Sequence, residues 1–322
     1  MGGIELRKRV LVAMLCTLML AATFAAGCGP QEQQTFINLA TGGTAGTYYP
    51  LGGAMAEIWN NNIEGMNATA QSTNASVANV NLMVEGNADI IMVQNDIIYY
   101  AANGEEMFKD AAVEDIKGLC TLYPETIQIV TVKTTGITKL ADLKGKRVAV
   151  GAAGSGTEAN ARQILAAAGI TYDDITEQFL NFADAANSLK DGNVDAAFLT
   201  AGHPTAAVQD IAAQHNVVLI EVDDTVADAL IADYPFYTKV TVDAGTYSGF
   251  DQAVKTVAVK AMLVTSSKLS EDNAYNMMKS LYENTDRIIA AHTVGKLITK
   301  ETAQDGMSIE LHPGAANYFS GN

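Results

Sequence analysis

The sequence contains few cysteines and few basic residues for its length, and each shortage argues against a class of protein. Only three of the 322 residues are Cys, at positions 16, 28 and 120, which are too few for a disulfide framework. Lys and Arg number 20 against 36 Asp and Glu, and the formal net charge is −16. A chain this acidic is a poor partner for polyanions, so we expect no binding of nucleic acid.

Recognisable catalytic and metal-binding motifs are also missing from the sequence. The four histidines never fall at a metal-ligand spacing such as His-Glu-x-x-His. The stretch 245–249 has its serine in the wrong place for a nucleophile elbow. The glycine-rich stretches 42–46 and 151–156 match neither a P-loop nor a dinucleotide fingerprint. We therefore expect no metal site, no cofactor and no enzymatic activity.

The first 27 residues have the pattern of a lipoprotein signal peptide. Basic residues at 7–9 precede an uncharged apolar run, which ends in small residues before Cys28. Residues 25–28 resemble a bacterial lipobox, in which the cysteine is lipidated and becomes the mature N-terminus. We expect lipidation at Cys28, a short tether over 28–35, and a location in the periplasm or on the outer face of the cell membrane. An uncleaved anchor and ordinary signal cleavage nearby are alternatives that give the same extracytoplasmic location.

The rest of the chain repeats one pattern of strand, glycine-rich loop and helix. The loop at 41–47 follows a β-type run and precedes a helical stripe of apolar residues, and the loop at 151–157 has the same neighbours. Apolar strands at 90–93 and 196–199 follow the two loops at similar distances. Apolar strands that alternate with amphipathic helices favour parallel sheets covered on both faces. The pattern predicts two α/β lobes of related topology.

We place the boundaries of these lobes from the order of the predicted elements. The first lobe is discontinuous and takes residues 36–124 and 238–322, because the C-terminal helices are expected to pack on it. The second lobe takes residues 125–237.

The expected ligand site lies in the loops that follow the strands. In open α/β sheets ligands bind beyond the carboxyl ends of the strands, which here are followed by the loops 44–48, 94–96, 155–158 and 200–204. The first and third loops lead into helix N-termini, where free N–H groups and the helix dipole bind an anion without Arg or Lys. A role in turns and caps alone is the alternative for any single loop. Two matching loops favour binding.

The segment 36–50 resembles the N-terminal signature of the TAXI family, the solute receptors of tripartite ATP-independent periplasmic (TRAP) transporters. The resemblance continues, in the right order, over nearly the whole mature chain: 76–80, 90–96, 151–158, 195–204, 244–247 and 312–316. It implies a two-lobed periplasmic-binding-protein-like (Venus flytrap) fold with a ligand cleft between the lobes. It also implies capture of a small carboxylated solute, such as glutamate, glutamine or a related organic acid, and its delivery to a fused membrane permease.

The strand-end argument and the resemblance together give the candidate ligand-binding residues. They are Thr44, Ala45, Gly46, Thr47, Tyr48, Gln94, Ser155, Gly156, Thr157, Thr200 and Gly202. Two rival functions use the same fold. An α/β transferase would need a catalytic carboxylate, lysine or cysteine in the cleft, and a sensory or antigenic surface lipoprotein would bind a partner protein.

Overall fold

The computed structural model describes residues 34–321, and the predicted signal peptide, Cys28 and most of the predicted tether lie outside this range. The strands of the described part are β1 (Thr35–Ala40), β2 (Met66–Gln71), β3 (Ile90–Gln94), β4 (Lys117–Val132), β5 (Arg147–Gly151), β6 (Thr176–Phe179), β7 (Ala196–Ala201), β8 (Val217–Ile220), β9 (Thr238–Val242) and β10 (Val254–Thr265). The α-helices are α1 (Tyr48–Asn62), α2 (Ser76–Val84), α3 (Asn95–Asn103), α4 (Gly156–Ala167), α5 (Phe182–Lys190), α6 (Ala206–Ala212), α7 (Asp224–Asp233), α8 (Glu271–Glu283), α9 (Thr285–Ala291) and α10 (Pro313–Ser320). Within residues 34–321, no helix has both the length and the apolar character that a membrane span requires.

The strands β3 and β7 are buried at every position. Each has a parallel neighbour, β1 for β3 and β5 for β7. A strand covered on both faces carries a continuous apolar run instead of an alternating pattern. The apolar strands predicted at 90–93 and 196–199 are therefore confirmed.

Two long antiparallel strands, β4 and β10, connect the two halves of one mixed sheet. The strand order is β2-β1-β3-β10-β4-β7-β5-β6, with β8 also paired to β4 and β9 to β10. The C-terminal part of β10 pairs with β3, whereas the C-terminal part of β4 pairs with β7. Each long strand therefore starts in one half of the sheet and ends in the other.

The hydrophobic core is divided in the same way. Two clusters pack around β1 and β3 and contain Trp59 and Val93, and two others pack around β5 and β7 and contain Phe198. Along β4 the side chains change from the first pair of clusters at Tyr123 to the second pair at Ile127. We call the part of the molecule around the first pair of clusters the first lobe, and the part around the second pair the second lobe.

The division of the chain at 125 and 238 stays a prediction, and the packing gives a reason to move its second boundary. Val242, Tyr247 and Phe250 follow residue 238 in the sequence but pack in a second-lobe cluster. They do so because β9 pairs with the N-terminal half of β10, which lies on the second-lobe side. Defined by its core, the second lobe continues as far as Val259.

Candidate functional site

A cavity of about 50 Å³ lies between the lobes, at the carboxyl ends of β1, β3, β5 and β7. Such a volume exceeds the roughly 10–15 Å³ that one water molecule requires. Eight of the predicted ligand-binding residues line it: Gly46, Thr47, Tyr48, Gln94, Ser155, Gly156, Thr157 and Thr200. The structure thus brings together residues that are up to 154 positions apart in the sequence, from Gly46 to Thr200. Their role in binding a ligand stays a prediction.

Three predicted residues do not line the cavity. Thr44, in the first loop, is exposed. The carbonyl oxygen of Ala45 accepts a hydrogen bond from the N–H of Ala207, 3.3 Å away. The carbonyl oxygen of Gly202 accepts one from the Thr47 hydroxyl, at 3.1 Å. Ala45 and Gly202 therefore contribute backbone contacts beside the cavity instead of a surface inside it.

Four helices begin at the cavity. In the first lobe α1 begins at Tyr48 and α2 at Ser76, and in the second lobe α4 begins at Gly156 and α5 at Phe182. All four of these residues line the cavity. A helix N-terminus carries roughly half a positive charge and several N–H groups without a helical partner. The convergence of four such ends favours an anionic group in this space.

Side-chain caps occupy some of these N–H groups in the second lobe. Ser155 Oγ accepts a hydrogen bond from the Glu158 N–H at 3.2 Å, and Asn181 Oδ1 accepts one from the Asp184 N–H at 3.0 Å. Over the described residues, α1 and α2 have no side-chain cap. The first-lobe ends are limited in a similar way, because the Ala78 N–H of α2 donates to the Gly154 carbonyl oxygen and the third residue of α1 is Pro50, which has no N–H. The N–H groups of the first two residues remain available at all four helix ends.

A buried carboxyl group also lines the cavity. Glu125 lies on β4, near the point where this strand passes from the first lobe to the second, and is 2% exposed. The hydroxyl of Tyr48 donates a hydrogen bond to its Oε1. Burial raises the pKa of Glu125 to about 8, although the hydrogen bond from Tyr48 acts in the opposite direction. None of the lining residues, which all belong to the described range, is Lys, Arg or His.

A network of buried hydrogen bonds surrounds Asn160, behind this wall of the cavity. Asn160 Oδ1 accepts from Gln94 Nε2 and from Thr200 Oγ1, both at 3.0 Å. Asn160 Nδ2 donates to Asp96 Oδ2 at 3.1 Å and to Tyr237 Oη at 2.8 Å. Burial raises the pKa of Asp96 to about 7. Since Gln94 and Asp96 belong to the first lobe and Asn160 to the second, the network joins the lobes.

Gly156 is in close contact with Gln94. A Cβ atom on Gly156 would lie 1.8 Å from Gln94 Oε1, so no larger residue fits without displacing the amide. Gln94 Oε1 itself is buried and has no hydrogen-bond partner. The predicted position of Gln94 in the cleft thus agrees with the structure, and Gly156 is the residue that makes room for it.

Backbone groups join the lobes around the cavity. The Ala78 N–H donates to the Gly154 carbonyl oxygen at 3.0 Å, and the Ala207 N–H donates to that of Ala45 at 3.3 Å. Phe182 of the second lobe lies against Gly46 of the first, where an added Cβ would be 3.3 Å from the ring. These contacts across the cleft describe a closed arrangement of the lobes.

Several lining residues lie outside the loops predicted from the sequence. Asn181 and Phe182 line the cavity, but neither belongs to the four predicted strand-end loops. The loop before α2, residues 73–75, also lines the cavity, and in it Ala75 has a φ of 69°, which few residues other than glycine adopt. Glu125 could have been identified from the sequence, because it lies within the apolar run of β4. A carboxylate is almost never fully buried unless it is paired. No local pattern indicates Asn160, whose partners are distant in sequence.

Comparison with known proteins identifies the fold. A family model described as the NMT1-like family matches residues 39–321. The periplasmic aliphatic sulphonate binding protein SsuA from Escherichia coli is 16% identical, with a TM-score of 0.50 over 88% of this chain and 82% of that one. A protein from Bordetella bronchiseptica RB50 is 16% identical, with a TM-score of 0.55 over 89% of both chains. A candidate L-cystine ABC transporter protein from Listeria monocytogenes is 14% identical, with a TM-score of 0.52 over 83% of this chain and 99% of that one. The predicted two-lobed, periplasmic-binding-protein-like α/β fold is thereby confirmed.

Proposed function

The chain belongs to the NMT1-like family, and we propose that it is an extracytoplasmic solute-binding receptor of a transporter, not an enzyme. The observation that carries the proposal is the cavity between the lobes, where four helix N-termini meet. The names of the Escherichia coli and Listeria monocytogenes structures, a sulphonate-binding protein and a cystine transporter protein, support a role in the uptake of small solutes.

The finer proposal is a TAXI-type receptor of a TRAP transporter that captures a small carboxylated solute. Its support is the ordered set of motifs over nearly the whole mature chain and the placement of the glycine-rich loops in the cavity. The solute would be a glutamate- or glutamine-like amino acid or a related organic acid. A lipid on Cys28 would hold the receptor at the membrane, beside a fused permease.

A second candidate is the receptor of an ABC-type permease, which the name of the Listeria monocytogenes cystine protein favours. The two candidates differ in the energy source of the membrane partner. Uptake of the bound solute into vesicles that contain the permease would depend on an ion gradient for a TRAP transporter. It would depend on ATP for an ABC transporter.

In the proposed mechanism, the solute carboxylate binds at the N-termini of α1 and α2, whose N–H groups have no side-chain cap. The second lobe then closes over it, and Thr157 and Thr200 complete the wall of the cavity. Closure removes the carboxylate from water, which strengthens its contacts with the fixed dipoles. The ligand stabilises the closed state only as far as it binds that state more tightly than the open one.

Thermal-shift titration of the purified protein tests the proposal. The panel comprises L-glutamate, L-glutamine, glutarate, L-cystine and an alkanesulfonate. A true ligand present at about 1,000 times its Kd should raise the stability of the protein by about 4 kcal/mol. If no compound of this panel raises Tm, the proposal of a receptor for small acids fails.

A pair of glycine variants shows whether binding occurs in the cavity. Gly156→Ala places a methyl group against Gln94 and should abolish the ligand-induced shift. Gly53→Ala is the matched control, because Gly53 lies on α1 with nothing within 4 Å of an added Cβ. Equal ligand-induced shifts in the two variants would place the binding site elsewhere.

A further inference from the structure

The cavity contains an ionisable carboxyl group without a counter-charge. Glu125 is 2% exposed and faces Tyr48 and Gln94, both of which are neutral. The ion pairs of the described residues do not include Glu125, and no Lys, Arg or His lines this space. Buried carboxylates are normally paired, because an unpaired one loses its hydration without compensation. A cationic group of the ligand would supply the partner that the carboxylate form of Glu125 requires.

We propose that Glu125, held by Tyr48, binds a protonated amine of the solute, so that the receptor selects zwitterions and discriminates against acids that lack an amine. The inference rests on the proposed function, the binding of a small solute in this cavity. It goes further by assigning the two charged ends of the solute to different walls. The helix N-termini receive the carboxylate, and β4 receives the ammonium group.

The arrangement of the walls fits a ligand with two ends. The first-lobe helix N-termini are donors and have no side-chain cap in the described chain. The wall formed by Glu125 and Gln94 instead offers acceptors, and Gln94 Oε1 is buried without a partner. An ammonium group has three donors and no acceptor, so it complements the second wall and not the first. A dicarboxylate would place an anion against Glu125.

Binding of an amine has a consequence for the proton on Glu125. Burial, together with the charge of Asp96, raises the pKa of Glu125 to about 8, so the free receptor at pH 7 carries mostly the neutral acid. Tyr48 and Tyr123 are the other titratable groups that face it, and burial raises the pKa of both well above their usual value. An ammonium group favours the carboxylate form. The neutral acid then loses its proton to solvent, and each ligand bound should release close to one proton at pH 7.

Paired titrations of the wild-type protein test the inference without any substitution. Each pair consists of an amino acid and its analogue without the amine: L-glutamate and glutarate, L-glutamine and glutaramate, L-cystine and 3,3′-dithiodipropionate. Calorimetry at pH 7 in phosphate and in Tris measures affinity and proton release together. One amino acid should bind at least about 30-fold more tightly than its analogue, with proton release. An analogue that binds as tightly as its amino acid overturns the inference but leaves the receptor function standing, whereas failure of every compound removes both.

The variant Glu125→Gln identifies the residue responsible. It should lose at least about 30-fold in affinity for the amino acid, should bind the analogue without the amine as before, and should release no proton. Glu310→Gln is the matched control, since Glu310 is an exposed carboxylate that pairs with Lys117. Unchanged affinity for the amino acid in Glu125→Gln contradicts the assignment. If Glu125→Gln does not fold, the paired titrations of the wild type still decide.

Discussion

Replacement of Asn160 by alanine should measure how strongly the polar network holds the lobes together. Asn160 is completely buried, and its side-chain amide makes four hydrogen bonds, two through Oδ1 and two through Nδ2. Two of these bonds, with Gln94 and Asp96, cross from the second lobe to the first. Alanine removes all four at once and leaves the partner atoms buried.

The size of the effect follows from the number of bonds. A buried hydrogen bond contributes about 1 kcal/mol net, so four bonds together contribute about 4 kcal/mol. Water that enters the space of the lost amide recovers part of this, and we expect a loss of about 3 kcal/mol in the free energy of unfolding. For a chain of this size such a loss lowers Tm by roughly 5 °C. Urea unfolding monitored by circular dichroism measures it directly.

Two further variants of the same type of residue sharpen the test. Asn81→Ala changes an exposed asparagine on α2 and should alter the free energy of unfolding by less than about 0.5 kcal/mol. Asn160→Asp keeps the acceptors but places a second carboxyl group beside Asp96, so it should be less destabilised at pH 5 than at pH 8. A loss below about 1 kcal/mol in Asn160→Ala would refute the view that this network stabilises the protein.

Three more outcomes follow from buried or paired groups. Burial raises the pKa of Asp96 to about 7 and of Glu125 to about 8, so their contribution to stability is complete below about pH 4 and is lost as the pH rises towards 8. In urea titrations between pH 5 and 8, stability should therefore fall less steeply in Glu125→Gln than in the wild type, and equal slopes would contradict the assignment. Cys120 is fully buried and its pKa is raised to about 12, so a thiol reagent at pH 8 should label it only after unfolding; labelling of the native protein would show that β4 is accessible. Asp195→Asn weakens the bonds from Arg147 and should cost about 1 kcal/mol at pH 7. This cost should disappear as the pH falls through the pKa of Asp195, which the Arg147 guanidinium holds below its usual range; a cost that persists in acid would point to packing instead.

Local patterns predicted the elements and most of the cavity. The apolar run at 90–93 and the glycine-rich loop at 151–157 carry their structural meaning in adjacent residues, because strand burial and turn geometry are short-range properties. Gly169 shows the same point, since it follows the end of α4 with a φ of 68°, as expected of a helix C-terminus. Parallel strands bring their carboxyl ends to one edge of a sheet, and this general rule was enough to bring the predicted loops together.

The parts that sequence could not predict depend on distant contacts. Asn160 and Glu125 acquire their roles from partners at least 40 positions away in the chain, such as Thr200 for Asn160 and Tyr48 for Glu125. The hydrophobic periodicity of the sequence does not indicate such contacts. The prediction that Thr44 lines the cavity was wrong for a local reason. The position of its loop was predicted correctly, but the conformation of the turn decides which residues of the loop face the cavity. Tyr247, like Asn160, takes its place in the second-lobe core from distant contacts, and its hydroxyl accepts a hydrogen bond from the Thr205 N–H.

The crossing of β4 and β10 gives Glu125 an unusual position. Glu125 pairs with Val259 of β10, on the two strands that pass from one lobe to the other. When two bodies rotate about a common axis, points near the axis move least. A solute that enters an open cleft would therefore meet Glu125 already in its final place. The open and closed states would then differ mainly in the groups that surround the other end of the solute, its carboxylate.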